Sequence, residues 1–336
     1  MAWTIFSAIV GAGYASGREL VVFFHPCHPQ SIPAAIVAGM LAGVVAGWGE
    51  PDARPAPPGF SGAGELPRLL ERVTIVWLSW VSLAAMLAGL GHLFDPAGRH
   101  RVLATLAGAG LVWAGAALPA QQGLARIASW LGPPVVVIMT LEALAWRVLG
   151  GSLATPPPGA ARPGPACVWN VLSYAAANAL FARGAVLPVA QGLGLRLPAL
   201  RVASVLGGVM VGAVAAAGLA IIARSGTHEA AMPLASASAA LHPVALGLHL
   251  GVLFAAIYTT GVAAAVSLGS SGRGRASGPM GAVTRQAGWW ILSAVPVALA
   301  GFAETVAHLY PAAGWMALTV LALRAGFASW LRRRLY

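Results

Sequence analysis

The chain has 336 residues, of which 58% are hydrophobic and only 9% are charged, and its mean hydropathy is +0.78. An average soluble domain is about 45–50% apolar and about 25% charged, so this composition excludes a soluble protein. The net charge of +11 comes from 20 arginines against nine acidic residues, without a lysine. Because the arginines lie singly between apolar runs, we expect them to set membrane topology and expect no nucleic-acid partner.

A membrane-crossing helix needs about 20 mostly apolar residues. The sequence predicts an all-α polytopic membrane protein with about ten transmembrane helices: Ala2–Phe24, Ile32–Trp48, Val73–Phe94, Val102–Ala120, Ile127–Leu149, Ala166–Ala190, Val202–Ala223, Val244–Leu268, Gly288–Val306 and Tyr310–Trp330. The spacers are too short for a soluble domain, so we expect residues 1–336 to form a single transmembrane domain. Little separates the ninth and tenth segments, so nine or eleven crossings are the alternatives.

The loop arginines predict the orientation. With the N-terminus inside, twelve arginines fall in cytoplasmic segments and five in outer loops, as the positive-inside rule requires. We therefore expect both termini in the cytoplasm. The first segment has no basic residues before its apolar run, and Arg18 and Glu19 follow its glycines, so we do not expect a cleaved signal peptide.

The first segment contains an unusual motif. It reads Gly11-Ala12-Gly13-Tyr14-Ala15-Ser16-Gly17-Arg18-Glu19. Each glycine weakens a helix by about 1 kcal/mol relative to alanine, and each charge would cost about 2.5–3.5 kcal/mol if it faced lipid at mid-depth. Broken backbone and charge are tolerated where they line a cavity, so we predict a broken helix beside one. The alternative is a glycine-rich packing face with Arg18 and Glu19 near the outer interface.

The sixth segment repeats this pattern. Ser173, Tyr174 and Asn178 precede Arg183 and Pro188 inside an apolar run. Ten segments divide into two halves, a first repeat at about 1–150 and a second at about 165–331, and the first and sixth segments occupy equivalent places. Interrupted helices at equivalent places indicate a transporter binding site.

The second and seventh segments also correspond. One carries Gly39, Gly43 and Gly47 at four-residue spacing, and the other carries Ala203, Gly208 and Gly212. Small residues at such positions allow two membrane helices to approach closely.

Four stretches resemble one family, the YkvI-like bacterial membrane proteins. They are the motif of the first segment running on to Phe23-Phe24; Ser173-Tyr174 and Asn178 ahead of Val186-Leu187-Pro188; Tyr258-Thr259-Thr260-Gly261-Val262; and Gly301-Phe302 followed by Leu309-Tyr310-Pro311 and Gly314. That family is grouped with the amino acid–polyamine–organocation superfamily. The resemblance implies a LeuT-like 5+5 inverted repeat with broken first and sixth helices, in a bacterial cytoplasmic membrane. Arg18 departs from the family, which usually has glutamine there.

The resemblance also implies where a solute binds. In LeuT-like carriers the solute lies between the unwound parts of the first and sixth helices. The candidate substrate-binding residues are Gly11, Ala12, Gly13, Tyr14, Ala15, Ser16, Gly17, Glu19, Tyr174 and Asn178. For Tyr174 the alternative is an interhelical hydrogen bond. Glu19 is expected to pair with a substrate amine or with Arg183, or to titrate; the alternative is a structural ion pair.

Thr259 and Thr260 are the candidates for holding a coupling cation. In sodium-coupled proteins of this fold, two adjacent hydroxyls on the eighth helix and carbonyls of the broken first helix bind sodium, and by that similarity the carbonyls of Ala12 and Tyr14 join the threonines. Hard cations prefer oxygen ligands. The alternative is that both hydroxyls bond back to carbonyls of their own helix.

Proton coupling is the other route. Some related carriers use a lysine on the fifth helix, which this chain lacks, so Glu142 or Glu19 would carry the proton. Sodium is favoured narrowly, and we expect no other cofactor.

The sequence contains two further charged residues with expected positions. Arg183 is expected to anchor a substrate carboxylate or to lie at the inner interface, and Glu304 is expected to be interfacial.

The remaining motifs point away from other functions. Cys27 and Cys167 predict no disulfide framework, and we expect a plain turn rather than metal capture at His25, Cys27 and His28. His-Glu-x-x-His, P-loop and nucleophile-elbow motifs are absent from the sequence, so we do not expect an enzyme.

The sequence therefore predicts a cation-coupled secondary transporter of a small organic solute, an amino acid or amine. The alternative is a non-transporting membrane receptor that kept the fold.

Overall fold

The computed structural model describes residues 1–28, 30–47, 65–118, 120–149, 164–230, 232–271, 280–302 and 305–335. Within these ranges the regular structure is helical, without strands. The helices are α1 (Ala2–Ile9), α2 (Ala12–Ala15), α3 (Arg18–Phe24), α4 (Ser31–Gly47), α5 (Glu65–Phe94), α6 (Arg101–Ala117), α7 (Ala120–Leu149), α8 (Pro165–Gly192), α9 (Leu197–Ser225), α10 (Pro233–Leu241), α11 (Pro243–Ser270), α12 (Met280–Ala298) and α13 (Tyr310–Leu335). A 3₁₀ turn (His25–Cys27) follows α3, and a π-helical turn (Thr305–Leu309) precedes α13.

Four of the described helices are each long and apolar enough to cross a membrane: Leu66–Phe94, Gln122–Leu149, Leu197–Ser225 and Pro243–Ser270. A fifth crossing is added if the bent pair formed by Arg18–Cys27 and Ser31–Gly47 is one span. Large apolar side chains also face outward, among them Val148, Trp130 and Trp289, each more than 70% exposed. A helical protein with such helices and such a surface is consistent with residence in a bilayer.

The first predicted segment is broken twice. It divides into α1, α2 and α3 at Val10–Gly11 and again at Ser16–Gly17. Gly17 has a φ of +82°, the left-handed region that glycine adopts without a steric penalty. The glycines of the motif therefore do what the sequence predicts, and the break in the first helix is confirmed.

The predicted break in the sixth segment is wrong, because α8 runs without interruption from Pro165 to Gly192. Its polar side chains bond within the helix instead of interrupting it. Asn178 Nδ2 donates to the Tyr174 carbonyl at 3.0 Å, and Ser173 Oγ donates to the Asn170 carbonyl at 3.1 Å. Pro188 lies inside the helix, where tight packing by neighbouring helices tolerates it.

The closest helix packing joins α4 and α9. A Cβ atom added at Gly43 would lie 2.4 Å from the Ser204 carbonyl oxygen, and one at Gly39 would lie 2.5 Å from the Gly212 nitrogen. Gly208 is equally tight, with the Gly39 oxygen at 2.6 Å from its would-be Cβ. The small residues of the second and seventh segments therefore face each other and let the two backbones touch.

The other helices pack around α5 and α11. α11 contacts α5, α7, α12 and α6, while α8 contacts α4 and α13. α10, which the sequence analysis missed, is a short helix that packs against α9 and α11. Its nine residues are too few to produce a spanning apolar signal.

A disulfide between Cys27 and Cys167 corrects the sequence analysis, which expected no disulfide framework. The cysteines are 140 residues apart, so their spacing carries no local signal. Folding brings the 3₁₀ turn after α3 against the first turn of α8. The bond ties the end of the broken segment to the second half of the chain. Because Cys27 is in this bond, it is not a metal ligand, and the described residues contain no cluster of three or more His, Cys, Asp or Glu fit for a metal.

The contact between α4 and α9 predicts the effect of one methyl group. Gly43→Ala places a Cβ against backbone of α9, which cannot move aside as a side chain can, and should destabilise the protein by about 1–3 kcal/mol. Gly110→Ala on α6 is the matched control, since nothing lies within 4 Å of its Cβ position. We expect thermal unfolding in detergent to show a lower Tm for Gly43→Ala alone; equal Tm values for the two variants would contradict the packing.

Candidate functional site

The first break, at Val10–Gly11, is held by a side chain of α11. The end of an α-helix leaves its last carbonyls without partners within the helix. Thr260 Oγ1 lies 2.8 Å from the Ser7 carbonyl oxygen and 3.1 Å from that of Val10. The hydroxyl has one proton for two carbonyls, so three oxygens converge at this break and share a single hydrogen. Such a cluster of buried oxygens is suited to a hard cation.

The two threonines behave differently. Thr259 Oγ1 donates to the Ala255 carbonyl of its own helix at 2.8 Å, and the Ala256 carbonyl lies 3.2 Å away. For Thr259 this is the alternative predicted from the sequence. Thr260 instead contacts the first helix. The carbonyls it meets are those of Ser7 and Val10, earlier in the chain than the predicted Ala12 and Tyr14. The sequence analysis missed them because backbone oxygens carry no residue-type signal.

The second break, at Ser16–Gly17, is held from two sides. The Ser16 carbonyl accepts the backbone N–H of Leu234 in α10 at 3.0 Å. The Ala15 carbonyl lies 3.0 Å from Nε2 of His249 in α11. Ser16 Oγ donates to the Gly13 carbonyl at 3.1 Å, which closes the turn locally. The carbonyls of Ala15 and Ser16, both predicted to contact a substrate, are thus engaged by neighbouring helices.

His249 also contacts a carboxylate. Its Nδ1 lies 3.0 Å from Glu142 Oε2 on α7. Both side chains are buried: His249 is fully enclosed and Glu142 is 5% exposed. The second carboxylate oxygen of Glu142 has no hydrogen-bond partner among the described atoms. The sequence analysis considered Glu142 but missed His249, because a single histidine in an apolar run gives no indication of its partner.

A small cavity lies beside α3. It is lined by Glu19, Phe23, Leu78, Val81, Ser82, Ala177, Asn178, Phe181, Tyr310 and Ala313, from α3, α5, α8 and α13. The space in which the centre of a water molecule fits is about 20 Å³, so the cavity is small. Among its described lining residues the one charged side chain is Glu19.

Glu19 lies between a polar side chain and a glycine. Asn178 lines the same cavity as Glu19, and its Nδ2 donates to the Tyr174 carbonyl. A Cβ atom at Gly13 would lie 2.7 Å from Glu19 Oε2, so the carboxyl group rests on a position that only glycine leaves open. Of the ten predicted substrate residues, Glu19 and Asn178 are the two that line this cavity.

The predicted aromatic residues pack nearby. Tyr14 is fully buried, and its hydroxyl donates to the Val211 carbonyl of α9. The Tyr174 ring packs edge-on against Phe23 and Phe24, with centroids 5.2 and 5.1 Å apart. The Tyr174 hydroxyl is buried without a hydrogen-bond partner among the described atoms, so the alternative of an interhelical hydrogen bond is not observed. Gly11 packs at the first break, where its Cβ position lies 3.0 Å from Met86, and the side chain of Ala12 is outside the described part.

A second charged cluster joins three helices. Glu71 of α5 forms ion pairs with Arg183 of α8, at 3.4 Å, and with Arg324 of α13. Arg183 therefore pairs with Glu71 and not with Glu19, and it neither lines the cavity nor offers itself to a solute there. Glu304 lies outside the described residues.

No family model matches the sequence, and no curated protein matches it. The function is therefore inferred from the geometry of the two breaks and the cavity.

The ion-pair cluster predicts an order of stability loss. Glu71→Gln leaves two arginines facing each other without an acid, and breaking a buried pair in this way costs about 3–5 kcal/mol. Arg183→Gln should cost less, because Glu71 keeps Arg324. We expect thermal unfolding to rank the Tm values as wild type, then Arg183→Gln, then Glu71→Gln. The reverse order of the two variants would show that Glu71 does not hold the cluster together.

Proposed function

We propose that the chain is a cation-coupled secondary transporter that moves a small amine-bearing solute across a membrane by alternating access. The observation that carries the proposal is the oxygen cluster at the first break, where Thr260 meets the carbonyls of Ser7 and Val10. This cluster and the cavity at Glu19 both adjoin the broken segment. Binding at either place therefore acts on the same backbone.

The packing of the helices supports a five-plus-five inverted repeat. If α1–α3 correspond to α8, then α4, α5, α6 and α7 correspond to α9, α11, α12 and α13. The contact between α5 and α6 then corresponds to the contact between α11 and α12. The contact between α4 and α8 corresponds to that between α9 and α1, and the contact between α7 and α11 corresponds to that between α13 and α5. The contact of α1 with α7 likewise matches α8 with α13. Such a repeat is the architecture of LeuT-like carriers, with ten crossings of which here the first is broken.

A sodium ion is the cation that this cluster favours. The ligands are neutral oxygens, namely two carbonyls and the Thr260 hydroxyl; Thr259 is the preceding residue, and the Ala256 carbonyl lies about one turn earlier on α11. The C-terminal end of α1 adds the negative end of a helix dipole. These neutral oxygens and the helix dipole stabilise a monovalent cation without an acidic ligand. The cation would bind the carbonyl oxygens in place of the single hydroxyl hydrogen that they share.

The cavity favours a positively charged solute. Glu19 is its charged side chain, while Phe23, Phe181 and Tyr310 supply aromatic faces. An ammonium group is attracted both to a carboxylate and to aromatic rings, by about 0.5–2 kcal/mol per ring. Asn178 and Ser82 offer further hydrogen bonds. The tightness of the cavity means that a solute of several heavy atoms enters only when the helices around it move apart.

Four sequence motifs resemble those of the YkvI-like bacterial membrane proteins, and we propose that the chain belongs with them. On that view it lies in the cytoplasmic membrane with both termini inside. The disulfide supports this orientation, since Cys27 and Cys167 would both lie on the outer side, where disulfides persist.

The sodium site predicts the effect of removing its hydroxyls. The double variant Thr259→Val with Thr260→Val keeps side-chain volume and removes the Thr260 hydroxyl ligand together with the neighbouring Thr259 hydroxyl, so uptake of a labelled amine panel into proteoliposomes should lose its dependence on an imposed sodium gradient. Thr140→Val with Thr319→Val is the matched control, since both hydroxyls are exposed and bond within their own helices. An unchanged sodium response in the first variant would reject the site.

The cavity predicts a preference for charge. Glu19→Gln keeps the shape and the contact with Asn178 but removes the negative charge, so uptake of small amines should fall at least tenfold while sodium still stabilises the protein against heat. If no amine or amino acid is taken up by the wild type but one raises its Tm, the protein is a receptor and not a transporter. Uptake by Glu19→Gln at the wild-type rate would reject the proposed role of the carboxylate.

A further inference from the structure

The contact between Glu142 and His249 determines how many protons the two side chains must carry. A carbonyl oxygen only accepts hydrogen bonds, so His249 Nε2, at 3.0 Å from the Ala15 oxygen, carries a hydrogen. The contact from Nδ1 to Glu142 Oε2, also 3.0 Å, needs one more proton, on either the ring or the carboxyl group. Without that proton, the lone pair of Nδ1 faces a carboxylate oxygen, which is repulsive.

The Glu142–His249 contact is enclosed by protein. The His249 side chain is 0% exposed and that of Glu142 is 6% exposed. Glu142 Oε1 has no hydrogen-bond partner among the described atoms, so an unprotonated pair would bury a negative charge with one bare oxygen. One proton makes the pair neutral as a whole, in either of its two placements.

The other charged groups on the packed helices are engaged elsewhere or lie at helix ends. Tyr14 on α2 donates to the Val211 carbonyl, and Glu19 on α3 lines the cavity beside Asn178. α1 and α10 have no titratable side chain. The remaining titratable side chains on α3, α7 and the helices that contact α7 or α11 are Arg18, Glu65, Arg68, Glu71, Arg72, His92, Arg101, Arg126, Arg147, Tyr174, Arg183, Arg201, Arg224, Tyr258 and Arg285. The side chain of Glu65 is outside the described part; the ion pairs described for Glu71, Arg183 and His249 join Glu71 with Arg183 and Arg324, and His249 with Glu142.

The Glu142–His249 contact adjoins the second break of the first helix. His249 is the group that holds the Ala15 carbonyl, and Glu19 follows four residues later on α3. If the ring turns away from an ionised Glu142, the Ala15 carbonyl loses its donor in a buried environment. The contact of Leu234 with the Ser16 carbonyl would then remain, together with the local bond from Ser16 Oγ to the Gly13 carbonyl.

We propose that Glu142 and His249 form a proton-binding site which fixes the second break while one proton is shared between them and releases it when that proton leaves. This proton-binding site is separate from the oxygen cluster that is proposed to bind sodium, because His249 lies seven residues before Ala256 on α11. The proposal concerns proton binding and backbone order, and so it stands whether or not the transport proposal does.

Hydrogen exchange measured by mass spectrometry tests it on the full chain in lipid nanodiscs, without solute or sodium. The readout is the protection of the peptide covering residues 11–21, corrected for intrinsic exchange, between pH 5.5 and 9.5. In the wild type we expect protection to fall at least tenfold across the pH at which the proton leaves. In Glu142→Gln the amide always donates to Nδ1, so protection should stay high and independent of pH.

Two controls complete the test. Glu229→Gln removes a carboxyl group from an exposed Glu–His pair, with Glu229 91% exposed, and should follow the wild-type profile. His249→Gln replaces the ring and should also abolish the pH dependence, which keeps the test decisive if Glu142→Gln does not fold. A flat wild-type profile, or a wild-type pH response in Glu142→Gln or His249→Gln, would overturn the proposal. Failure of the transport proposal would leave all of these profiles unchanged.

Discussion

The structure depends on how a broken helix is satisfied inside a buried core. Each break in the first segment frees backbone carbonyls in a buried environment, where they need a hydrogen-bond partner. α11 supplies a donor at both places: the Thr260 hydroxyl for Ser7 and Val10, and the His249 ring for Ala15. The two donors lie eleven residues apart, about three helical turns, so one continuous helix contacts both breaks.

This arrangement gives a physical basis for switching. A carbonyl held by a hydroxyl or a shared proton can exchange that partner for a cation or lose it with a change in protonation, whereas a carbonyl within a continuous helix cannot. α8 shows the contrast, because its polar residues Ser173 and Asn178 bond along their own helix and leave it intact. One half of the proposed repeat is thus movable at its breaks, and the other half provides a continuous wall.

Much of the fold follows from the sequence, because long apolar runs predict helices and glycines at close spacing predict either a break or a close contact. Gly11, Gly13 and Gly17 mark a real break, and Gly39 and Gly43 mark a real contact with α9. The sequence misled for α8, where the same kinds of residue occur without a break. Whether a helix absorbs them depends on its neighbours, which sequence does not reveal.

The site was less predictable for a related reason. Glu19, Asn178 and Thr260 stand out as polar residues in apolar segments, and all three line the cavity or contact a break. Their partners are backbone oxygens or lie far along the chain. The contact of Glu142 with His249 spans 107 residues, that of Glu71 with Arg324 spans 253, and the disulfide spans 140. Such pairings are set by tertiary packing and leave no local pattern.

The central claim is that the oxygens around Thr260 bind a cation where the first helix is broken. The most direct measurement is hydrogen exchange of the peptide covering residues 6–12 in sodium chloride against potassium chloride at equal ionic strength. The account predicts that sodium slows exchange of this peptide several-fold and leaves a peptide from α6 unchanged. Equal exchange in the two salts would contradict it.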